Sequence, residues 1–472
     1  MKIYIYIFIL ISLCYIVTKG QQPSLYNTHT LTEATINPYV GVFDDIACRR
    51  IASNFFVSSI YVNGYAKNEI LKNLDWNAII KGQYTALNAG DFDSPNHYRI
   101  FNDLFVNFLT IKYLLNEAYQ TELMLNLGIR SLFGARGRNN FLSSITDTFN
   151  YDLFQSNSPH YFNAKGYGYV GSAIELGWRS EIDILPDMVV GAKLSYIEGI
   201  AGAQANWKAT VSDIQSDSSI ALTYSANGFY SHSGQAFSIE EILPRFRNPG
   251  LSLSFGMQQS IGEGLKYSIV IKDLGFIRWR NATYLLPQID QATYSIDSSG
   301  MGWIDRQYIV NQIESRIVSR NKIQMLPLRI EAGLGYIVAG FYNIHAHASY
   351  IPHIQNIFLN TMHDLHWGWL HSIVNIGYNN DRVLHTGLNL LVRTTRFEAY
   401  VGTENIYSTY QAIKYYTSKD YSFGRTVAWS LHFGFAYKLG NCGGDNKAFG
   451  KKNDLMDFKG KGKKGAVNCY EF

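Results

Sequence analysis

Beyond its first twenty residues the chain has no run of about 18 apolar residues, which leaves it without a segment able to cross a bilayer as a helix. Charge is sparse, at 17% of 472 residues, and the net charge of +4 is too small to imply a nucleic-acid partner. Proline is rare at 10 residues, and cysteine is limited to four. The cysteines show no metal-ligand spacing. Missing too are a Gly-x-Ser-x-Gly elbow, a His-Glu-x-x-His site and a Ser/His/Asp set, so no enzymatic activity and no cofactor are expected. Gly134-Ala135-Arg136-Gly137 is too slight to be a phosphate loop.

What the chain does have is aromatic residues, glycine and alternation. It carries 34 Tyr, 27 Phe and 40 Gly, and high aromatic content with low charge suits the girdles and lipid-facing strands of an outer-membrane β-barrel. Val170, Ser172, Ile174, Leu176 and Trp178 interleave with Gly171, Ala173, Glu175, Gly177 and Arg179. The same period of two recurs through Leu251, Leu253, Phe255 and Met257, and through Val427, Trp429, Leu431, Phe433 and Phe435. Such a period marks strands with one face toward lipid and the other toward water. Residues 1–20 read as a signal peptide, with Lys2 ahead of an apolar stretch at 5–17 and cleavage after Gly20. Lipidation at Cys14 is not expected, because Leu13 before it is bulky and the cysteine comes too early. Cys48, Cys442 and Cys469 remain, and Cys442 can pair with Cys469 while Cys48 stays buried or free.

These features predict an all-β fold: a single transmembrane antiparallel β-barrel of about fourteen strands, spanning 53–440, with an N-terminal plug-like periplasmic segment at 21–52. Strands are expected at 53–65, 101–114, 119–131, 168–181, 187–200, 249–260, 265–279, 326–338, 341–350, 353–363, 368–379, 383–393, 396–405 and 426–438. Short turns alternate with long links at 132–167, 201–248, 280–325 and 406–425, as periplasmic turns and extracellular loops do. An extracellular hairpin is expected within 201–248, from 206–213 and 219–224. Residues 441–472, with six lysines among glycines, read as a flexible periplasmic tail.

The stretch 272–281, Lys-Asp-Leu-Gly-Phe-Ile-Arg-Trp-Arg-Asn, resembles the "LDLGFIKW" segment of a family of uncharacterised Bacteroidota outer-membrane barrels known as a domain of unknown function. Leu25-Tyr26 before Asn37-Pro38 resembles that family's mature start, 54–66 its first strand, and Thr403-Glu404-Asn405-Ile406 its "SDNI" ending. The similarity spans about 21–440 and carries no catalytic motif. The resemblance implies an architecture like FadL-type and PorV-type fourteen-strand barrels. It also singles out Asp273, Leu274, Gly275 and Phe276 as a structural or gating motif, in which a glycine at a bulge turns the next aromatic inward. An aromatic girdle shared with Trp279 is the plainer reading of the same residues.

Alternation assigns Glu175, Arg179, Lys193, Arg329, Glu331, Arg393, Glu398 and Glu404 to the lumen, where opposite charges are expected to pair. His345 and His347 share a strand face and have the two-residue spacing that can hold a metal, but beside Asn343 and Ser349 they read as ordinary lumen polar groups, and no metal is expected. His363, Asp364 and His366 are expected in a periplasmic turn, anchoring it with Trp367 and Trp369. The functional expectation is a FadL-like conduit for hydrophobic or amphipathic small molecules. Its alternative is a non-transporting scaffold resembling PorV- or PorP-type components of secretion or gliding machinery. The partners expected are outer-membrane lipid, a hydrophobic ligand, and periplasmic or cell-surface proteins, with no nucleic acid.

Overall fold

A computed structural model describes residues 28–44, 49–67, 97–138, 160–182, 187–216, 219–232, 246–262, 264–295, 317–380, 384–407, 410 and 426–440. The expected signal peptide at 1–20, the expected tail at 441–472 and all four cysteines lie outside them. Among the described residues the wall is built from seventeen extended segments in one sheet. They are β1 (Ile51–Ser53), β2 (Ser59–Lys67), β3 (His97–Asn116), β4 (Thr121–Arg138), β5 (His160–Ile182) and β6 (Met188–Ser216). These are followed by β7 (Ser219–His232), β8 (Pro249–Ile261), β9 (Leu265–Ser295), β10 (Ile317–Met325), β11 (Arg329–Ala339) and β12 (Tyr342–Ile351). The last are β13 (Asn356–Trp367), β14 (Leu370–Asn379), β15 (Leu384–Arg393), β16 (Phe397–Thr403) and β17 (Thr426–Leu439).

Seventeen segments make fourteen staves because three staves are interrupted. β1 and β2 both lie between β17 and β3. β7 and β8 share the strip between β6 and β9, and β10 and β11 together flank the far side of β9. All pairings are antiparallel, and β17 closes on the β1/β2 stave, giving a closed fourteen-stave barrel. Closure removes the free edges an open sheet would leave in lipid. No helix among the described residues is long and apolar enough to cross a membrane, and none is needed when strands do the crossing.

The connections divide by end. Tight turns at 117–120, 262–264, 340–341, 368–369 and 394–396, with the short link 183–187, lie at one end together with the start of β1 and the close of β17. At the opposite end the strands are joined through the longer stretches 68–96, 139–159, 296–316 and 404–425 and through the short connections 217–218, 352–355 and 380–383. In outer-membrane barrels the end with short turns is periplasmic. Outward positions such as Leu176, Leu194, Leu251, Ile269, Leu334 and Leu359 are exposed, while the residues between them are buried. The alternation read from the sequence therefore separates the two faces of the wall, and the exposed apolar side chains form the surface that lipid covers.

Several strand boundaries differ from the sequence reading. The links predicted at 132–167, 201–248 and 280–325 are wall in part: β4 runs to Arg138, β5 begins at His160, and β6 and β9 run to Ser216 and Ser295. The predicted hairpin at 206–224 is the upper part of β6 with β7, so it continues the wall. Polar composition misled there, because strands rising beyond the bilayer no longer need an apolar outer face. The strand predicted at 326–338 begins only at Arg329, since Pro327 has no N–H for the ladder. Instead Leu326 donates to the Gly275 carbonyl at 2.9 Å. The strand predicted from 353 begins at Asn356, after a single 3-10 turn at Pro352–Ile354.

Candidate functional site

The lumen is arranged in three layers, and the lowest is the N-terminal segment 28–44. It enters from the periplasmic end and contains one short helix, α1 (Leu31–Ile36), every residue of which is buried. Thr30 caps the helix by accepting from the Glu33 amide at 3.2 Å. The Glu33 carboxylate in turn accepts from the amides of Thr28 at 2.6 Å and His29 at 2.8 Å. This reciprocal cap lets a six-residue helix stand inside a barrel.

The remaining backbone groups of the plug are satisfied by wall side chains, as burial requires. Glu398 accepts from the Leu31 amide at 2.5 Å, and Glu122 accepts from Val42 at 3.2 Å and Phe43 at 3.4 Å. Lys193 donates to the Thr35 carbonyl at 2.6 Å, Arg179 to Tyr39 at 3.0 Å, and Lys438 to Val42 at 3.4 Å. Lys112 donates to the Val40 carbonyl. Charged partners complete the arrangement: Lys112 with Glu122 at 2.6 Å, Arg179 with Asp44 at 2.8 Å, and Lys438 with Glu398 at 3.1 Å. Burial alone would raise the Asp44 carboxyl, but Arg179 and His29 outweigh it and hold that group below the usual carboxylate range. At Gly191 a Cβ would collide with the backbone of Pro38 and Tyr39, so glycine lets the plug lie directly on the wall.

Above the plug lies a belt of buried charge. Arg130 pairs with Glu175 and, at 2.9 Å, with Asp273. Lys193 approaches Glu175 at 3.5 Å, Lys272 meets Glu331 at 2.6 Å, and Arg329 meets Asp103 at 2.6 Å. Four cations thus face four carboxylates. The third layer is apolar: Tyr65, Phe101, Tyr167, Tyr169, Phe229 and Trp279 lead a buried cluster toward the extracellular end, with Ile354 packed against it. Trp279 is 0% exposed and donates to Gln324 at 2.8 Å.

Of the residues singled out in the sequence, Glu175, Arg179, Lys193, Arg329, Glu331, Glu398 and Glu404 are buried on the inner face. Arg393 is half-buried at the periplasmic rim, opposite Glu398. His347 lies 3.4 Å from Glu331 and joins the charge belt, while His345 sits one rung closer to the periplasm. Asp364 and His366 fall within β13 rather than in a turn, and both face inward, because Asp364 lies opposite Asn343 and His366 opposite His371. His363 faces outward, where its Nδ1 lies 2.7 Å from the Tyr342 hydroxyl. In the 273–276 motif the bulge is at Asp273, with φ +59, rather than at the glycine. Gly275 allows close approach instead, since a Cβ there would strike the Leu251 carbonyl and lie 2.6 Å from the Ser252 Cα. Leu274 and Phe276 are exposed on the outer face, so the aromatic does not turn inward. Lys112, Glu122 and Lys438 were missed in the sequence, although the same alternation places them on the inner face.

A family model described as "Family of unknown function (DUF5723)" matches residues 59–404. The chain belongs to this family. The DUF5723 match begins at the first residue of β2 and ends just past β16, leaving the plug and the closing strand β17 outside it. No curated protein shows a match to the chain. Among solved structures, a FadL homologue of Pseudomonas aeruginosa is 9% identical, with 90% of this chain and 100% of that chain covered and a TM-score of 0.42. The TodX deltaS2S3 mutant monoaromatic hydrocarbon channel is 8% identical over 90% and 96% of the two chains, at 0.41. The P. putida toluene transporter TodX is 6% identical over 86% and 92%, at 0.34.

Proposed function

We propose that this outer-membrane barrel is a conduit for hydrophobic or amphipathic small molecules, closed at rest by its N-terminal plug. The observation that supports the reading is the grading of the lumen. An apolar, aromatic layer lies at the extracellular end, a balanced charge belt lies beneath it, and a separate chain segment fills the periplasmic end. An apolar solute leaving water lowers its free energy on meeting the first layer. The charge belt opposes its further passage through the centre, so the plug or the belt must shift during transport.

A non-transporting scaffold is the second reading, and it is favoured by the density of plug-to-wall bonds, which suits a permanently closed lumen. Uptake of labelled fatty acids and aromatic hydrocarbons by a deletion strain, with and without the restored gene, separates the two. Conduit function predicts a several-fold fall in uptake on deletion, with recovery on complementation. Unchanged uptake of every solute, together with recovery of a stable protein partner from gently solubilised membranes, would support the scaffold.

A further inference from the structure

The inner face of the β13–β14 hairpin gathers three metal-ligating groups that neither the plug nor the charge belt uses. His366 and His371 are directly opposed in the ladder, and Asp364 lies two residues before His366 on the same face. One ligand atom from each lies within 4.8 Å of the others. The His371 Nδ1 is 3.2 Å from the Asp364 carboxylate, and the two imidazole rings stack at 5.3 Å. The His366 Nδ1 is buried and has no hydrogen-bond partner. An orphaned ring nitrogen beside a histidine–carboxylate pair is an arrangement that a cation would complete.

We propose that Asp364, His366 and His371 bind a divalent transition-metal ion, of which Zn²⁺ is the type, at the periplasmic mouth of the barrel. Two imidazoles select a borderline cation over Mg²⁺ or Ca²⁺, which take oxygen ligands. Three protein ligands leave a fourth tetrahedral position for water, and the half-exposure of both histidines places that position toward the mouth. The ion takes the place of the proton shared between His371 and Asp364, so binding moves that proton to the other ring nitrogen or to solvent. The ligands come from two adjacent, hydrogen-bonded strands, so the site asks little reorganisation of the wall. The sequence hid it because Asp364 and His366 look like turn residues until β13 is seen to continue to Trp367.

The test is titration of the full-length barrel, purified in detergent, stripped with chelator and with its thiols alkylated, against Zn²⁺ by calorimetry and against Co²⁺ by visible absorption. One equivalent of Zn²⁺ is expected, with the visible bands of four-coordinate Co²⁺. His366→Ala, His371→Ala and Asp364→Asn should each weaken binding by at least about tenfold, while His363→Ala, on the outer face of the same strand, should leave it unchanged. Heat-shifted migration in detergent gels verifies that each variant is folded, and the near-isosteric Asp364→Asn serves if an alanine variant is not. Absence of a one-equivalent site in the parent protein, or affinity unaffected by all three ligand substitutions, would overturn the proposal.

Discussion

Glu122, at the periplasmic end of β4, joins the wall to the plug through both charge and hydrogen bonding. It meets Lys112 at 2.6 Å and Arg179 at 3.5 Å, and accepts from two plug amides while fully buried. Glu122→Gln keeps the shape but removes the charge facing those two cations, and breaking a buried pair in this way costs about 3–5 kcal/mol. The variant should unfold at a lower temperature and expose residues 28–44 to protease in the folded barrel. Asp44 carries a pH prediction. Its carboxyl is held below the ordinary carboxylate range, so its contribution is fully present above the unfolded value of about 3.9 and is lost as pH falls through the lower folded value. The Asp44 share of plug docking should therefore persist from neutrality to mildly acid pH and be lost only in strong acid, whereas Asp44→Asn should remove that share at every pH. Limited proteolysis across a pH series with an acid-tolerant protease reads both. These residues were only partly legible beforehand: alternation gives the face of each side chain, but the partner across the lumen comes from residues far apart in sequence, as with Arg329 and Asp103.

At the scale of elements, the three interrupted staves are where the wall departs from a regular ladder. Between β1 and β2 the chain steps out through Phe55 and Phe56, both at positive φ, with Phe56 73% exposed. The Asn54 side chain closes the gap, donating to the Asn107 and Phe108 carbonyls and accepting from the Thr110 amide at 2.8 Å. Asn54→Ala should leave the buried Thr110 N–H unsatisfied and destabilise the barrel by about 1–3 kcal/mol. Hydrogen exchange at Thr110 should rise locally, with far smaller change on β13 and β14. Legibility at this scale follows the lipid. Within the bilayer one face of each strand must be apolar, and the fourteen staves are countable from that pattern. Above it the constraint lapses, and the upper parts of β6, β7, β9 and β10 carry no matching signal. The interruption at Pro327 has a local chemical cause, because proline cannot serve a central ladder.

For the whole molecule, the proposed conduit has its lumen closed by the segment 28–44. Removing residues 28–44 should withdraw the apolar and hydrogen-bonded contents of the periplasmic half while leaving the ladder of the wall intact. The truncated barrel is expected to show stable ion conductance in planar bilayers where the parent protein shows little, and to admit small hydrophilic antibiotics into cells. Equal conductance of the two proteins would mean that the charge belt and the aromatic layer alone seal the barrel. The sequence by itself determined the strand period, the division of each strand into outer and inner faces, and the barrel class. Those properties answer to local constraints, lipid on one side and water or protein on the other. Only the tertiary structure decided the contents of the lumen: which cation meets which carboxylate, how 28–44 seats on Gly191, and how Asp364, His366 and His371 converge. Each depends on closure of the barrel, which brings distant strands to one interior and gives the face pattern a set of definite neighbours.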